Sequence, residues 1–250
     1  MKSYLTPDQL ESLKYNDTLG SQPGPSQQAW HNGDNQDIFE SKSKAHQDYW
    51  NARPITYDLN KYNLRCGEFP PEGNRESITF LGCSHTEGVG QNKECTWPYL
   101  VTQHFNLEEF NLGIGGSGID TAFRLYSQHQ PILKSKYTVM LTPSYTRYEE
   151  VHDDYFQYRG IWNLPKMPII KHHILKTLLT DKATYMNNLR NITAIHQVAA
   201  ETDSKLFIFD VSVYHELLMR TDKARDAAHG GDKCHKVFAD SVIKTISNSF

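Results

Sequence analysis

No stretch of this chain approaches the roughly 18 consecutive apolar residues that a membrane-spanning helix needs, so no membrane span is expected. Cysteine is scarce as well. The four residues Cys66, Cys83, Cys95 and Cys234 are widely spaced, with no C-x-x-C pair, and read as free thiols in a reducing compartment. Positive charge is not in excess: 26 Lys and Arg face 29 Asp and Glu, a net charge of −3. Without a basic stripe to match a phosphate backbone, a nucleic-acid partner is not expected. The opening MKSYLTPDQLESLKYND lacks the apolar core of a secretory signal. Synthesis in the cytosol is therefore the expectation, with association with a virus particle left open.

What is present fits a soluble globular protein, with 38% hydrophobic and 22% charged residues. The length of 250 residues suffices for one sizeable core and a short appendage. Composition divides the chain. Residues 1–52 include NDTLGSQPGPSQQAWHNGDNQD, too polar to bury much apolar surface, and read as a loop-rich arm with a short helix around TPDQLESLKY. Residues 53–250 read as the main domain, entered through a strand or hairpin in RPITYDLNKYNLR.

From residue 77 strands and helices alternate. SITFLG, EEFNLG, YTVMLT and KLFIFD read as strands. Helices are expected near 94–105, from about 118, over about 170–200, and over about 233–247, the last with Val237, Phe238, Val242, Ile243 and Ile246 on its apolar face. Residues 143–168 are rich in Tyr and Pro and read as a long functional loop. Such alternation implies an open, mostly parallel sheet with helices on both faces, a three-layer α/β/α fold. Ligands bind such sheets at the carboxyl ends of the strands. Ser84, Gly116, Ser144 and the loop after residue 210 are expected to gather there.

Three segments carry chemistry. In ITFLGCSHTEGVG, Ser84 follows a buried strand, where its hydroxyl is exposed and its backbone N–H is free to bind an oxyanion. Ordinary turn chemistry would also put a serine there, and the G-x-S-x-G elbow is not met, because Thr86 replaces its second glycine. In NLGIGGSGID, Gly113, Gly115 and Gly118 match the G-x-G-x-x-G dinucleotide pattern. That reading needs an acid about 20 positions on, and QHQPILKSKYTVMLT has none. In RDAAHGGDKCHKVFADSVI, two D-x-x-H pairs occur, Asp226/His229 and Asp232/His235. An aspartate three residues before a histidine can hold the imidazole by Nδ1–H and leave Nε2 to take a serine proton. Asp232 looks like a helix N-cap, so the loop pair Asp226/His229 is the catalytic candidate and His235 is structural. The adjacent His172 and His173 would point in different directions on a helix, and no metal site is expected.

Together, in this order, FLGCSHTEG, NLGIGGSG and DAAHGG resemble the blocks of the SGNH/GDSL hydrolase family over roughly residues 77–250. The resemblance implies a flavodoxin-like fold and a serine esterase or acyl hydrolase. Ser84 would be nucleophile, Gly116 a backbone oxyanion donor, and Asp226 and His229 the rest of a triad. No cofactor is implied, and the substrate would be a small-molecule or carbohydrate ester. Two positions depart from the family. Cys83 stands where aspartate usually precedes the nucleophile, and the third block, LTPSYTRYE, lacks its asparagine donor. Ser144 or Thr146 could supply a hydroxyl instead. The competing reading is a catalytically weak or inactive binding or structural module on the same fold, tethered by its arm to a larger assembly.

Overall fold

The computed structural model describes residues 26–151, 156–160, 180–214 and 222–249. The expected helix around TPDQLESLKY, the His172/His173 pair and the start of the 170–200 helix lie outside them.

Apolar runs become the central strands. β3 (Ser77–Leu81) and β5 (Tyr137–Leu141) are buried along their whole length. With β4 (Glu108–Asn111) and β8 (Lys205–Phe209) they form a four-stranded sheet in the order β4-β3-β5-β8. All three pairings are parallel. Alternate side chains serve opposite faces. Leu81, Phe110 and Met140 face one core, which α5 (Ile119–Leu133) and α6 (Asp181–Glu201) cover with Ile119, Leu125, Tyr126 and Ile195. Ile78, Phe80, Val139 and Leu141 face the other, covered by Trp97 and Val101 of α4 (Trp97–Phe105) and Phe238, Val242 and Ile246 of α7 (Asp232–Ser247). The result is a three-layer α/β/α domain with flavodoxin-like strand order. In the last helix Val237 departs from the expected apolar face: it is exposed.

The described part of the polar N-terminal stretch, residues 26–52, is more ordered than its composition suggests. After β1 (Ser26–Gln28) come α1 (Gln36–Glu40) and α2 (Lys44–Asn51), N-capped by the side chains of Asn35 and Ser43. β1 pairs antiparallel with β2 (Tyr57–Leu59). Phe39, Trp50, Ile55 and Tyr57 form a small core of their own. The expected loop after β5 contains an antiparallel hairpin, β6 (Tyr148–Val151) with β7 (Phe156–Arg159).

Candidate active site

The strand order reverses direction beside β3, and Ser84 begins the short helix α3 (Ser84–Glu87) immediately beyond it. Gly116 follows β4, Ser144 follows β5, and 211–214 follow β8, so all occupy the carboxyl edge of the parallel sheet. Such a reversal point is where open α/β sheets bind ligands.

Ser84 and the imidazole 145 positions later meet there: His229 Nε2 lies 2.8 Å from Ser84 Oγ. On the other side of the ring, His229 Nδ1 lies 2.5 Å from Asp226 Oδ2. The second Asp226 oxygen accepts from the backbone N–H groups of Ala228 and His229, at 3.0 and 3.1 Å. Asp226 therefore shapes the loop as well as the ring, through a turn with Ala227 at φ 58°. Burial pushes the Asp226 carboxyl up, but the bonds and charge of His229 outweigh it and hold it below the usual carboxylate range. A carboxylate at Nδ1 puts the ring proton on that nitrogen, so Nε2 is the acceptor for the serine hydroxyl.

Gly116 sits at φ +79° as the third residue of the turn closed by Ser117 N–H on Ile114 O at 3.2 Å. Glycine suits this left-handed position without steric cost. Among the described residues, neither its N–H nor that of Ser84 has a hydrogen-bond acceptor. Gly113 is needed for a different reason, close approach: a Cβ there would lie 2.8 Å from the backbone nitrogen of Glu87. The G-x-G-x-x-G stretch thus packs the Gly116 turn against the helix that Ser84 begins. Ser144 is placed less directly, with its hydroxyl 3.2 Å from that of Thr146. Tyr158 of β7 borders Gly116, its Cβ 4.0 Å from where a Gly116 Cβ would be. Tyr145 is partly exposed and donates its hydroxyl to Asp210 at 2.7 Å. Arg147 lines a neighbouring cavity with Asp120 and Tyr148. Tyr155 and Trp162 lie outside the described residues.

The second D-x-x-H pair separates from the first. His235 is buried and its Nδ1 accepts the Trp97 N–H at 3.1 Å, capping α4. Asp232 is not the cap of α7: Gly231 occupies that position, and Asp232 is the first helical residue, paired with Arg53 at 2.6 Å. The exposed amides of α7 are instead met by Asp222, which accepts from Lys233 and Cys234.

Several residues that support the site carry no signal in the sequence. Arg65 donates to the carbonyls of Glu87, Gly88 and Gln91, holding the segment beyond α3. Asn111 donates to Thr86 O at 2.7 Å and accepts from Gly113. Glu87 Oε2 accepts from Gly115 N–H at 2.5 Å, and its Oε1 lies 3.2 Å from His31 Nε2. Burial pushes the Glu87 carboxyl up, and His31 and the Gly115 amide more than reverse this, holding it low. Only an asparagine or a carboxylate at the right spacing could have hinted at these contacts, and their partners are far away in sequence.

Among the described residues no three His, Cys, Asp or Glu side chains are grouped to hold a metal ion, and no helix is long and apolar enough to cross a membrane.

No family model and no curated protein matches the chain. Among solved structures the fold is similar to the psychrotrophic esterase EstA from Pseudoalteromonas sp., at 15% identity over 69% of this chain and 97% of that one, TM-score 0.35. It is similar to a member of the lipolytic protein G-D-S-L family from Veillonella parvula DSM 2008, at 12% identity over 68% and 98%, TM-score 0.35. An acetyl xylan esterase, Est2A, from the rumen bacterium Butyrivibrio proteoclasticus matches at 11% identity over 79% and 68%, TM-score 0.40. These likenesses are distant.

Proposed function

We propose that the protein is a serine hydrolase acting on ester bonds. The observation that carries this reading is the hydrogen-bonded chain from Ser84 Oγ through both His229 nitrogens to Asp226, laid along the carboxyl edge of the sheet. Ser84 Oγ attacks the acyl carbonyl carbon while its proton passes to His229 Nε2. The carbonyl oxygen becomes an oxyanion, held by the N–H groups of Ser84 and Gly116. Collapse breaks the bond to the leaving alkoxide, which takes the proton from His229. Water then repeats the cycle on the acyl-serine. Asp226 fixes the tautomer and stabilises the imidazolium. The substrate class is an acyl or acetyl ester of a small molecule or carbohydrate; the tyrosines beside the crevice, Tyr145 and Tyr158, suit stacking against a sugar ring.

A fluorophosphonate probe should label the wild-type protein at Ser84 and not at the buried Cys83. Ser84→Ala should abolish both labelling and turnover of nitrophenyl acetate with the fold intact. Unchanged turnover in that variant would sink the assignment. One observation favours the second reading, an inactive binding module: the segment after β5 offers Ser144 and Thr146 hydroxyls bonded to each other where the family has an asparagine. Loss of one oxyanion donor costs on the order of 10²–10³ in rate. A wild-type protein that takes no probe would decide for that module.

A further inference from the structure

The oxyanion turn contains two successive glycines, Gly115 and Gly116, the residues with the greatest backbone freedom. A donor on such a segment is useful only if something external fixes its direction, because oxyanion stabilisation depends on pre-set dipoles. The external anchor is Glu87. It sits three residues after Ser84 on the same helix, is buried, and takes the Gly115 N–H at 2.5 Å. The peptide plane next to Gly116 is thereby tied to the helix that carries the nucleophile.

Glu87 is itself held from the N-terminal segment. His31 Nδ1 accepts the Gly33 N–H at 3.0 Å, which leaves its proton on Nε2, 3.2 Å from Glu87 Oε1. Its own backbone is fixed by two reciprocal bonds, His31 N–H to Asp34 O at 3.1 Å and Asp34 N–H to His31 O at 2.9 Å. The fit is close. A Cβ on Gly115 would lie 3.0 Å from Glu87 Oε2 and 3.1 Å from His31 Cε1. Nothing in the strand-and-helix alternation calls for a histidine at this place.

We propose that His31, acting through Glu87, is a positioning residue that sets the direction of the Gly116 amide; the catalytic part of this inference rests on the hydrolase reading. Remote support of this kind is worth a measurable part of the rate, since small misplacements near reacting atoms are costly.

The test compares His31→Leu, which removes the donor to Glu87, with His31→Gln, which returns an amide N–H. Two readouts are taken on the full chain: amide exchange of Gly115 by NMR, and steady-state hydrolysis of nitrophenyl acetate. His31→Leu should speed Gly115 exchange while the β3 amides keep their protection. It should lower kcat by about 10-fold with little change in KM, less than the roughly 10²–10³ lost with a whole oxyanion donor. His31→Gln should recover most of both effects. Unchanged Gly115 exchange in His31→Leu overturns the anchor. Faster exchange with wild-type kcat overturns its role in positioning. If the wild-type protein hydrolyses no ester, the hydrolase reading and the catalytic role fall together, and exchange still decides whether His31 holds the turn.

Discussion

Asp34 and Arg225, 191 positions apart, form a buried two-pronged ion pair: Arg225 Nη2 lies 2.7 Å from Asp34 Oδ2, and Nε lies 3.1 and 3.0 Å from the two oxygens. Their side chains are 0% and 6% exposed. Tyr57 donates its hydroxyl to the same carboxylate at 2.6 Å, and in turn accepts the Gly90 N–H. Arg225 also donates to Ala29 O, stacks 4.1 Å from the Trp30 ring and sends its backbone N–H to Gly90 O. Because Arg225 immediately precedes Asp226, the N-terminal segment is bound to the loop that holds His229. Asp34→Asn should therefore cost about 3–5 kcal/mol, the penalty of leaving one buried charge uncompensated. Urea denaturation at pH 7 measures it. A loss near that of an exposed pair, below about 1 kcal/mol, would show that the pair is not buried in solution.

Glu109 presents the opposite case. Its carboxyl group is buried in β4, among the described residues neither oxygen has a hydrogen-bond partner, and Lys93 Nζ is 3.8 Å away. Burial raises its pKa, and Lys93 only partly offsets this. The folded state then holds a proton that the unfolded chain has already released, so stability falls as pH rises above the ordinary carboxylate value. Glu109→Gln should melt at a higher temperature than wild type at pH 7, and the gap should close as pH falls toward 4. A lower melting temperature at pH 7 would mean that the Lys93 contact is worth more than the desolvation.

His235 governs part of the acid response. It is fully buried and burial, aided by the nearby His229, drives its pKa from 6.5 to about 3. Above 6.5 the ring is neutral in both states and contributes no pH dependence. Below it the unfolded chain binds a proton that the folded protein refuses, so stability falls by about 1.4 kcal/mol per pH unit from this group. His129, also lowered by burial, to about 4, adds to the same limb. His235→Gln should flatten the unfolding free energy between pH 6 and pH 4 by close to one proton's slope, measured by urea titrations at stepped pH. An unaltered slope would place a proton on His235 in the folded state.

The central strands were legible because burial on both faces leaves an unbroken apolar run, as in YTVMLT and SITFL. Ser84, Asp226 and His229 are legible as candidates because each lies in a short stretch whose spacing reflects local chemistry, a strand end or an i to i+3 contact, whereas Gly116 is picked out by the family resemblance. His31, Asp34 and Arg65 are not legible, because each acts on groups far along the chain and no spacing records that. The arm misled for a related reason. Phe39 and Trp50 of the arm bury well against Ile55 and Tyr57 beyond it, yet the two are diluted among Asn, Asp, Gln and Gly, and average composition hides them. Val237 is exposed because helical periodicity turns it away: it lies about 100° round the wheel from Phe238 and roughly opposite Ile246, so α4 and the sheet cover those two and leave Val237 in water.

Asp226 offers the sharpest test of the proposed chemistry, because its two oxygens are committed to different partners. Oδ1 accepts two backbone N–H groups, and Oδ2 faces His229 Nδ1. In Asp226→Asn the side-chain carbonyl must stay with the backbone donors, since an NH2 group cannot accept from them. The amide NH2 then faces Nδ1 and donates to it, which moves the ring proton to Nε2. There it confronts the Ser84 hydroxyl with a donor where an acceptor is needed. The fold should survive, and KM for nitrophenyl acetate should change little. The wrong tautomer should lower kcat by about 10⁴, the size of this effect in serine hydrolases with the same arrangement. A kcat within tenfold of wild type would mean that His229 does not serve as the base.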